Sequence, residues 1–141
     1  TVKYLSGKVT IYSTSPEMSR KAMVYYLDKS FGDREGLITS KNPETCTPEQ
    51  AAFFEKMFIG ADYKENYAIL NEYCKSLGDT IPPFIHLYIG LSPTMKTFGT
   101  TFDPDFGDCY DTAMMITTRD IYPDKFTRYV ESYEKCKVYK R

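Results

Sequence analysis

Alternation of apolar and polar residues marks the strands of the chain. Residues 8–13, KVTIYS, alternate β-branched and polar side chains and predict the first strand. Residues 36–40, GLITS, predict a second short strand. Two further strands are predicted at 95–102 and 109–117, and the turn sequence DPDFGD between them indicates an antiparallel hairpin.

Helix signals fill the intervals between these strands. Ser15 can cap the first helix, Pro16 suits its first position, and Gly32 can take the left-handed conformation that ends it. A second helix is predicted from a capping box of Thr47 and Gln50 to near Gly60, and a third over residues 63–77 before Gly78. A short fourth helix runs from Pro82 and Pro83 to Gly90. The last begins at Pro123 and is followed by a basic tail, KCKVYKR.

The order of these elements is β-α-β-α-α-α-β-β-α. A chain of 141 residues fits one domain with a substantial core. The predicted fold class is therefore α/β, with a mixed sheet that has an antiparallel C-terminal hairpin and is covered by helices. The sequence contains neither a glycine-rich dinucleotide loop nor a P-loop.

Composition and charge narrow the class of partner and the compartment. A net charge of −1 and a pI near 5.8 argue against nucleic acid as a partner. No apolar run approaches the roughly 18 residues of a membrane span. The start TVKYLSGK has neither a signal-peptide apolar block nor an initiator Met, so the chain is expected to begin mid-protein or after processing.

The four cysteines show no CxxC pair, which predicts free thiols in a reducing compartment. A secreted, disulfide-bonded calcium- or glycan-binding module is the alternative.

Two residues are candidates for acid–base chemistry. His86 carries the chain's only imidazole, which can exchange protons near neutral pH. Asp111 lies near the start of a predicted strand, where a carboxylate can orient a base or accept a proton. The alternative for His86 is a surface or core-edge histidine, and for Asp111 a solvent-facing strand residue. The aspartates around residues 103–111 lack EF-hand spacing, so no metal site is predicted.

Two broader groups are open to either a binding or a structural interpretation. Basic side chains near the first strand and helix could meet a phosphate or form a solvated face: Lys3, Lys8, Arg20 and Lys21. Tyrosines could line an apolar tunnel or fill the core: Tyr12, Tyr25, Tyr26, Tyr67 and Tyr88.

Three long stretches of the chain carry a family resemblance. They are KYLSGKVTIYSTSPEMSRKAMVYYLDKSFGDREGLITS, ADYKENYAILNEYCKSLGDTIPP and FDPDFGDCYD. In their order and spacing they resemble the C-terminal part of the hemolysin/ornithine-lipid-synthase-like acyltransferases, a branch of the GCN5-related N-acyltransferase superfamily. The resemblance implies an acyltransferase-like fold. It also implies that residues 1–141 are a single domain forming the C-terminal part of a longer protein.

The resemblance also implies an activity. A long acyl chain would pass from an acyl carrier protein (ACP) or coenzyme A thioester to the amine of an amino acid or lyso-lipid, in the cytoplasm or peripherally at the inner membrane. His86 or Asp111 would act as base or orienter, and Tyr88 as a nearby proton donor. The positions implied for the pantetheine phosphate are Lys8, Ser15, Ser19 and Arg20.

Two departures from the family pattern qualify these expectations. The segment STSPEMSRKA has no glycine, which favours a carrier with a single phosphate over coenzyme A. His86 stands where relatives often have Lys. The alternative function is a non-catalytic domain that keeps the fold and binds an acyl ligand or a protein.

Overall fold

A three-stranded antiparallel sheet organises the computed structural model, which describes residues 2–133. The strands are β1, Tyr4–Ile11; β2, Lys96–Asp103; and β3, Cys109–Thr117. Their spatial order is β1-β3-β2, so the strand that comes last in sequence is central. A short 3₁₀ turn, Pro104–Phe106, joins β2 to β3. The predicted α/β class and antiparallel hairpin are confirmed.

Five α-helices accompany the sheet within the described residues. They are α1, Glu17–Phe31; α2, Pro48–Met57; α3, Tyr63–Ser76; α4, Pro83–Ile89; and α5, Pro123–Phe126, which continues as a π-helical turn over Thr127–Glu131. The capping box of α2 is confirmed, because Thr47 Oγ1 accepts from the Gln50 amide at 3.2 Å and Gln50 Oε1 accepts from the Thr47 amide at 3.0 Å. The basic tail predicted after α5 lies outside the described residues.

The core forms between one face of the sheet and the helices. Alternate strand residues point towards the helices, as a pleated strand requires, while the intervening residues point to the opposite face. The strand residues of the core cluster are Val9, Ile11, Met114 and Ile116, and they are buried with Met23, Tyr26, Leu27, Phe54, Leu70 and Ile85 from α1 to α4.

The predicted strand at residues 36–40 is wrong. These residues form a loop, and Leu37 and Ile38 are exposed. Isolated bridges, Gly32 to Thr97 and Pro43 to Thr101, join β2 to the segments before and after the loop. The intervening chain leaves the sheet because Asp33 holds a turn, accepting from the Leu37 amide at 2.8 Å.

Two predictions about the ends of α1 are also wrong. The residue before the helix is Pro16 and no side chain caps it, so Ser15 does not have that role. Gly32 has a φ of −55°, outside the left-handed region. Glycine fits there for a steric reason, because a β-carbon would collide with the Asp28 carbonyl. Gly78, with φ of +74°, does end α3 as predicted.

A β-bulge interrupts β2. The register with β3 shifts between Thr97 and Thr100, and Gly99 at this point has a φ of +83°. Glycine adopts this conformation without steric cost, and bulges bend a strand locally. A cavity lies between this part of β2 and α1.

Candidate functional site

Asp111 is held by β1 on the face of the sheet away from the helices. It lies opposite Thr10 in the β1–β3 register. Its Oδ1 accepts from Thr10 Oγ1 at 2.6 Å, and its Oδ2 accepts from Lys8 Nζ at 2.7 Å. The Asp111 side chain is only 14% exposed, whereas that of Lys8 is 55% exposed. The carboxylate is thus fixed in orientation, with both oxygens engaged.

The neighbours of this ion pair reinforce its charge state. The hydrogen bond to Asp111 raises the pKa of Lys8, so its ammonium remains charged at neutral pH. The Lys8 ammonium also lies 5.0 Å from the Phe106 ring centroid. Burial, reinforced by the Asp111 carboxylate, raises the pKa of the Cys109 thiol, so this cysteine is not activated as a nucleophile.

His86 borders an apolar slot between α3 and α4. Its ring centroid lies 5.4 Å from that of Tyr67. The imidazole forms no hydrogen bond or ion pair with the residues in the described range 2–133. The slot has a volume of about 220 Å³, and we call it the α3–α4 slot; its walls are Tyr63, Lys64, Tyr67, His86, Ile89 and Gly90.

Tyr88 lies on another side of α4, against β1. Residues two apart on a helix point about 200° apart, which separates Tyr88 from His86. The Tyr88 hydroxyl is 2.7 Å from the point where a β-carbon on Gly7 would lie. Gly7 has the strand parity of the core-facing Val9, so Tyr88 packs on the helix-covered face of the sheet.

The three residues predicted for acid–base chemistry therefore do not form one cluster. Asp111 is on the outer face, Tyr88 is on the helix-covered face, and His86 faces α3. Within residues 2–133 no hydrogen bond joins any two of them. The structure does bring Lys8 and Asp111 together, although they are separated by 103 residues in sequence.

The residues predicted for phosphate binding have different surroundings. Ser19 is fully buried and donates to Asp79 Oδ2 at 2.5 Å. The Arg20 guanidinium lies 4.2 Å from the Tyr110 ring centroid and its Nε is 3.3 Å from Glu44 Oε1. Ser15 lies in the turn before α1, where its amide donates to the Tyr12 carbonyl. Lys8 points to the outer face of the sheet.

Of the four basic residues near the first strand and helix, Lys3 and Lys8 are exposed, whereas Arg20 and Lys21 belong to a mostly buried ion cluster. Glu44 Oε1 lies 2.8 Å from Lys21 Nζ, and it is also the partner of Arg20. Lys21 donates in addition to the Thr45 carbonyl. These contacts turn both cations inward because an unpaired charge at this depth would be costly. Of the predicted core tyrosines, Tyr26 is buried, but Tyr12 is 65% exposed.

A second cavity was missed by the sequence interpretation. It has a volume of about 320 Å³ and lies between α1, the 43–46 segment and the bulged part of β2. Thr100, Thr112 and Cys46 are among the residues that line this cavity. The hydroxyl oxygens of Thr100 and Thr112 are hydrogen-bonded at 2.6 Å. Burial raises the pKa of the Cys46 thiol. Gly99 within a strand pattern was the one available signal, since such a glycine suggests a bulge.

Residues 2–133 lack two further kinds of feature. No group of three or more His, Cys, Asp or Glu side chains in that range is arranged to hold a metal ion. None of the helices in the same range is long and apolar enough to cross a membrane. Cys46, Cys74 and Cys109 are free thiols, while Cys136 lies outside the range.

Comparison with known proteins points to one class, the N-acyltransferases. Two bacterial relatives share the name glycine N(alpha)-acyltransferase. The protein from Phocaeicola vulgatus is 39% identical over 134 residues, which cover 95% of this chain and 41% of the relative. The protein from Bacteroides thetaiotaomicron is 39% identical over 135 residues, which cover 94% of this chain and 39% of the relative.

These matches support an acyltransferase family for the chain. The chain spans about two-fifths of the length of the curated relatives it matches. No family model and no solved structure matches it. The more specific resemblance to hemolysin-like acyltransferases remains a prediction.

Proposed function

We propose that this chain is part of an N-acyltransferase that moves a long acyl chain from a thioester to an amine. The observation that carries the proposal is the 39% identity, over 95% of the chain, to a protein named glycine N(alpha)-acyltransferase. On this proposal residues 1–141 are the C-terminal part of a longer protein that acts in the cytoplasm or peripherally at the inner membrane.

The reaction requires one proton to be removed from the acceptor. The amine nitrogen attacks the thioester carbonyl carbon, and its lost proton passes to a general base. Hydrogen-bond donors stabilise the oxyanion of the tetrahedral intermediate. The intermediate collapses as the C–S bond breaks, and the sulfur leaves as a thiol after taking up a proton.

His86 is the better candidate for the base. His86 is exposed and its imidazole has no hydrogen-bond partner within residues 2–133, so neither ring nitrogen is committed to another side chain. Both oxygens of Asp111 already accept hydrogen bonds, which suits it to orientation rather than proton abstraction. Tyr88 lies too far around α4 to share a proton with His86 directly. We keep Tyr88 as a candidate proton donor on the side of α4 that faces β1.

The identities of donor and acceptor are also proposals. The absence of glycine at the start of α1 favours an acyl carrier protein over coenzyme A. The proposed phosphate-binding set is Lys8, Ser15, Ser19 and Arg20. Binding through Ser19 and Arg20 would require them to exchange Asp79 and Glu44 for the phosphate. The name of the relatives favours an amino acid such as glycine as acceptor, with a lyso-lipid as the second choice.

The direct test is acyl transfer by the full-length protein. Purified enzyme would be incubated with glycine and with either an acyl carrier protein thioester or acyl-coenzyme A, and N-acylglycine would be measured by mass spectrometry. His86→Gln should lower kcat by about 10²- to 10⁴-fold, the usual contribution of a general base. Asp105→Asn, on an exposed turn, is the matched control and should retain full activity. Absence of product from every thioester would disprove the proposal.

A non-catalytic binding domain is the second candidate. The separation of His86, Tyr88 and Asp111 favours it, because no two of them are positioned to act on one bond. Native mass spectrometry would then show a bound acyl ligand or protein that persists without turnover, and this binding would survive in His86→Gln.

A further inference from the structure

The walls of the α3–α4 slot are mainly ring faces and aliphatic carbon, and its polar groups are the His86 imidazole and the Lys64 ammonium. A hydrogen bond to Tyr122 raises the pKa of the Tyr63 phenol to about 12, so that hydroxyl is already engaged. The Tyr67 ring packs between Tyr26, at 6.1 Å, and His86, at 5.4 Å. Ile89 contributes an aliphatic wall. Walls of this kind favour an apolar occupant.

A cation stands at the edge of the same slot. Lys64 is exposed, and its ammonium lies 5.9 Å from the Tyr63 ring centroid. It forms no ion pair with any residue between 2 and 133. An ammonium without a carboxylate partner, beside an apolar wall, complements a ligand that combines an apolar chain with an anionic head group.

We propose that the α3–α4 slot binds the methylene chain of an acyl ligand, with the negatively charged head group near Lys64. His86 borders the same slot, so a chain bound there lies beside the imidazole. This assignment deepens the proposed acyltransferase function, on which its catalytic meaning rests. Binding of the chain itself does not require turnover.

The proposal predicts a steep dependence of affinity on chain length. Each methylene buried in an apolar site strengthens binding about fourfold, so each two-carbon step should strengthen it about sixteenfold until the slot is filled. Calorimetric titration of the full-length protein with octanoate, decanoate and dodecanoate measures this dependence. Decanoate should bind more tightly than decanol, and Lys64→Gln should remove that difference.

Variants on α3 test whether the chain occupies this slot. Tyr67→Ala removes a wall and should weaken decanoate binding at least about tenfold. Tyr73→Ala is the matched control, because Tyr73 is a partly buried phenol of the same helix that does not line the slot; it should change affinity less than about twofold. Circular dichroism checks that both variants fold.

A second measurement does not depend on either variant. Photo-crosslinking of the wild-type protein with a diazirine-bearing fatty acid should label peptides from α3 and α4. The inference is overturned by affinity that does not change with chain length, by equal losses in Tyr67→Ala and Tyr73→Ala, or by labelling confined to other segments. If the chain binds here but no thioester is turned over, the acyltransferase proposal fails and the slot assignment stands.

Discussion

The phenol of Tyr88 occupies the space that a side chain on Gly7 would need. Tyr88 Oη and Cζ lie 2.7 and 3.2 Å from an ideal β-carbon at Gly7. Distances this short are below ordinary van der Waals contact, so glycine at this point of β1 allows α4 to approach the sheet. The same contact fixes the ring of Tyr88 against the β1 backbone.

Gly7→Ala should therefore destabilise the protein. Alanine in a strand normally gains about 0.5–1 kcal/mol over glycine, whereas overpacking against Tyr88 should cost about 1–3 kcal/mol. Tyr88→Phe removes the closest atom and should recover part of the loss in the double variant, which a double-mutant cycle of urea unfolding would measure. A Gly7→Ala variant more stable than the wild type would contradict this packing of Tyr88 on β1.

Asp111 should matter for stability as well as for any role in the site. Asp111→Ala removes a part-buried carboxylate that accepts from Thr10 and Lys8, and we expect a loss of about 1–3 kcal/mol. Asp105→Ala is the control on the same hairpin, and it should change the free energy of unfolding by less than about 0.5 kcal/mol. Equal losses from the two variants would show that the β1–β3 pairing does not depend on Asp111.

Substitution of Ser19 tests whether this residue has a structural role or binds the phosphate. Its buried hydroxyl donates to Asp79, so Ser19→Ala should lower the free energy of unfolding by about 1.5–3 kcal/mol. Ser15→Ala should leave stability unchanged because Ser15 does not cap α1. If Ser19→Ala instead raises KM for the acyl carrier protein without loss of stability, Ser19 faces the phosphate and the hydrogen bond to Asp79 is dispensable.

Asp33 should make the loop after α1 sensitive to acid. Amide hydrogen bonds, first from Leu37 and then from Glu35, together with Lys96, lower the pKa of Asp33 below its ordinary value of 3.8. A carboxyl whose pKa is lower in the folded state contributes stability that is fully present above its unfolded value and disappears as the pH falls through the folded value. Urea unfolding at pH 7 and pH 3 should show a smaller acid-induced loss for Asp33→Asn than for the wild type. Asp105→Asn should behave like the wild type, and an Asp33→Asn variant with unchanged acid sensitivity would refute the assignment.

The elements with local signals could be predicted from the sequence. The capping box at Thr47 and Gln50 closes within one helical turn, and β3 was predicted at its observed bounds because its apolar run lies between clear turn residues. The strand predicted at residues 36–40 failed because Asp33 holds a turn there, and no strand among residues 2–133 pairs with this segment. Whether a short apolar run pairs depends on what lies beside it rather than on its own residues.

The site was less predictable than the fold. His86 and Asp111 were identified by residue type, but their placement on different sides of the molecule depends on which face of α4 and of β3 each occupies. Arg20 was expected at a helix N-terminus to meet a phosphate, yet it turns inward towards Glu44 and Tyr110. Glu44 becomes available to Arg20 only when the 43–46 segment packs on α1.

By itself, then, the sequence determined the α/β class, the starts of α2 to α5 and the C-terminal hairpin, because hydrogen bonds and side-chain periodicity among near neighbours encode them. The tertiary structure alone decided that β3 lies between β1 and β2, that Lys8 reaches Asp111 across 103 residues, and that Tyr67 and His86 enclose a slot. Such contacts depend on how the chain closes its long loops and buries its apolar faces, and no short stretch of sequence specifies them.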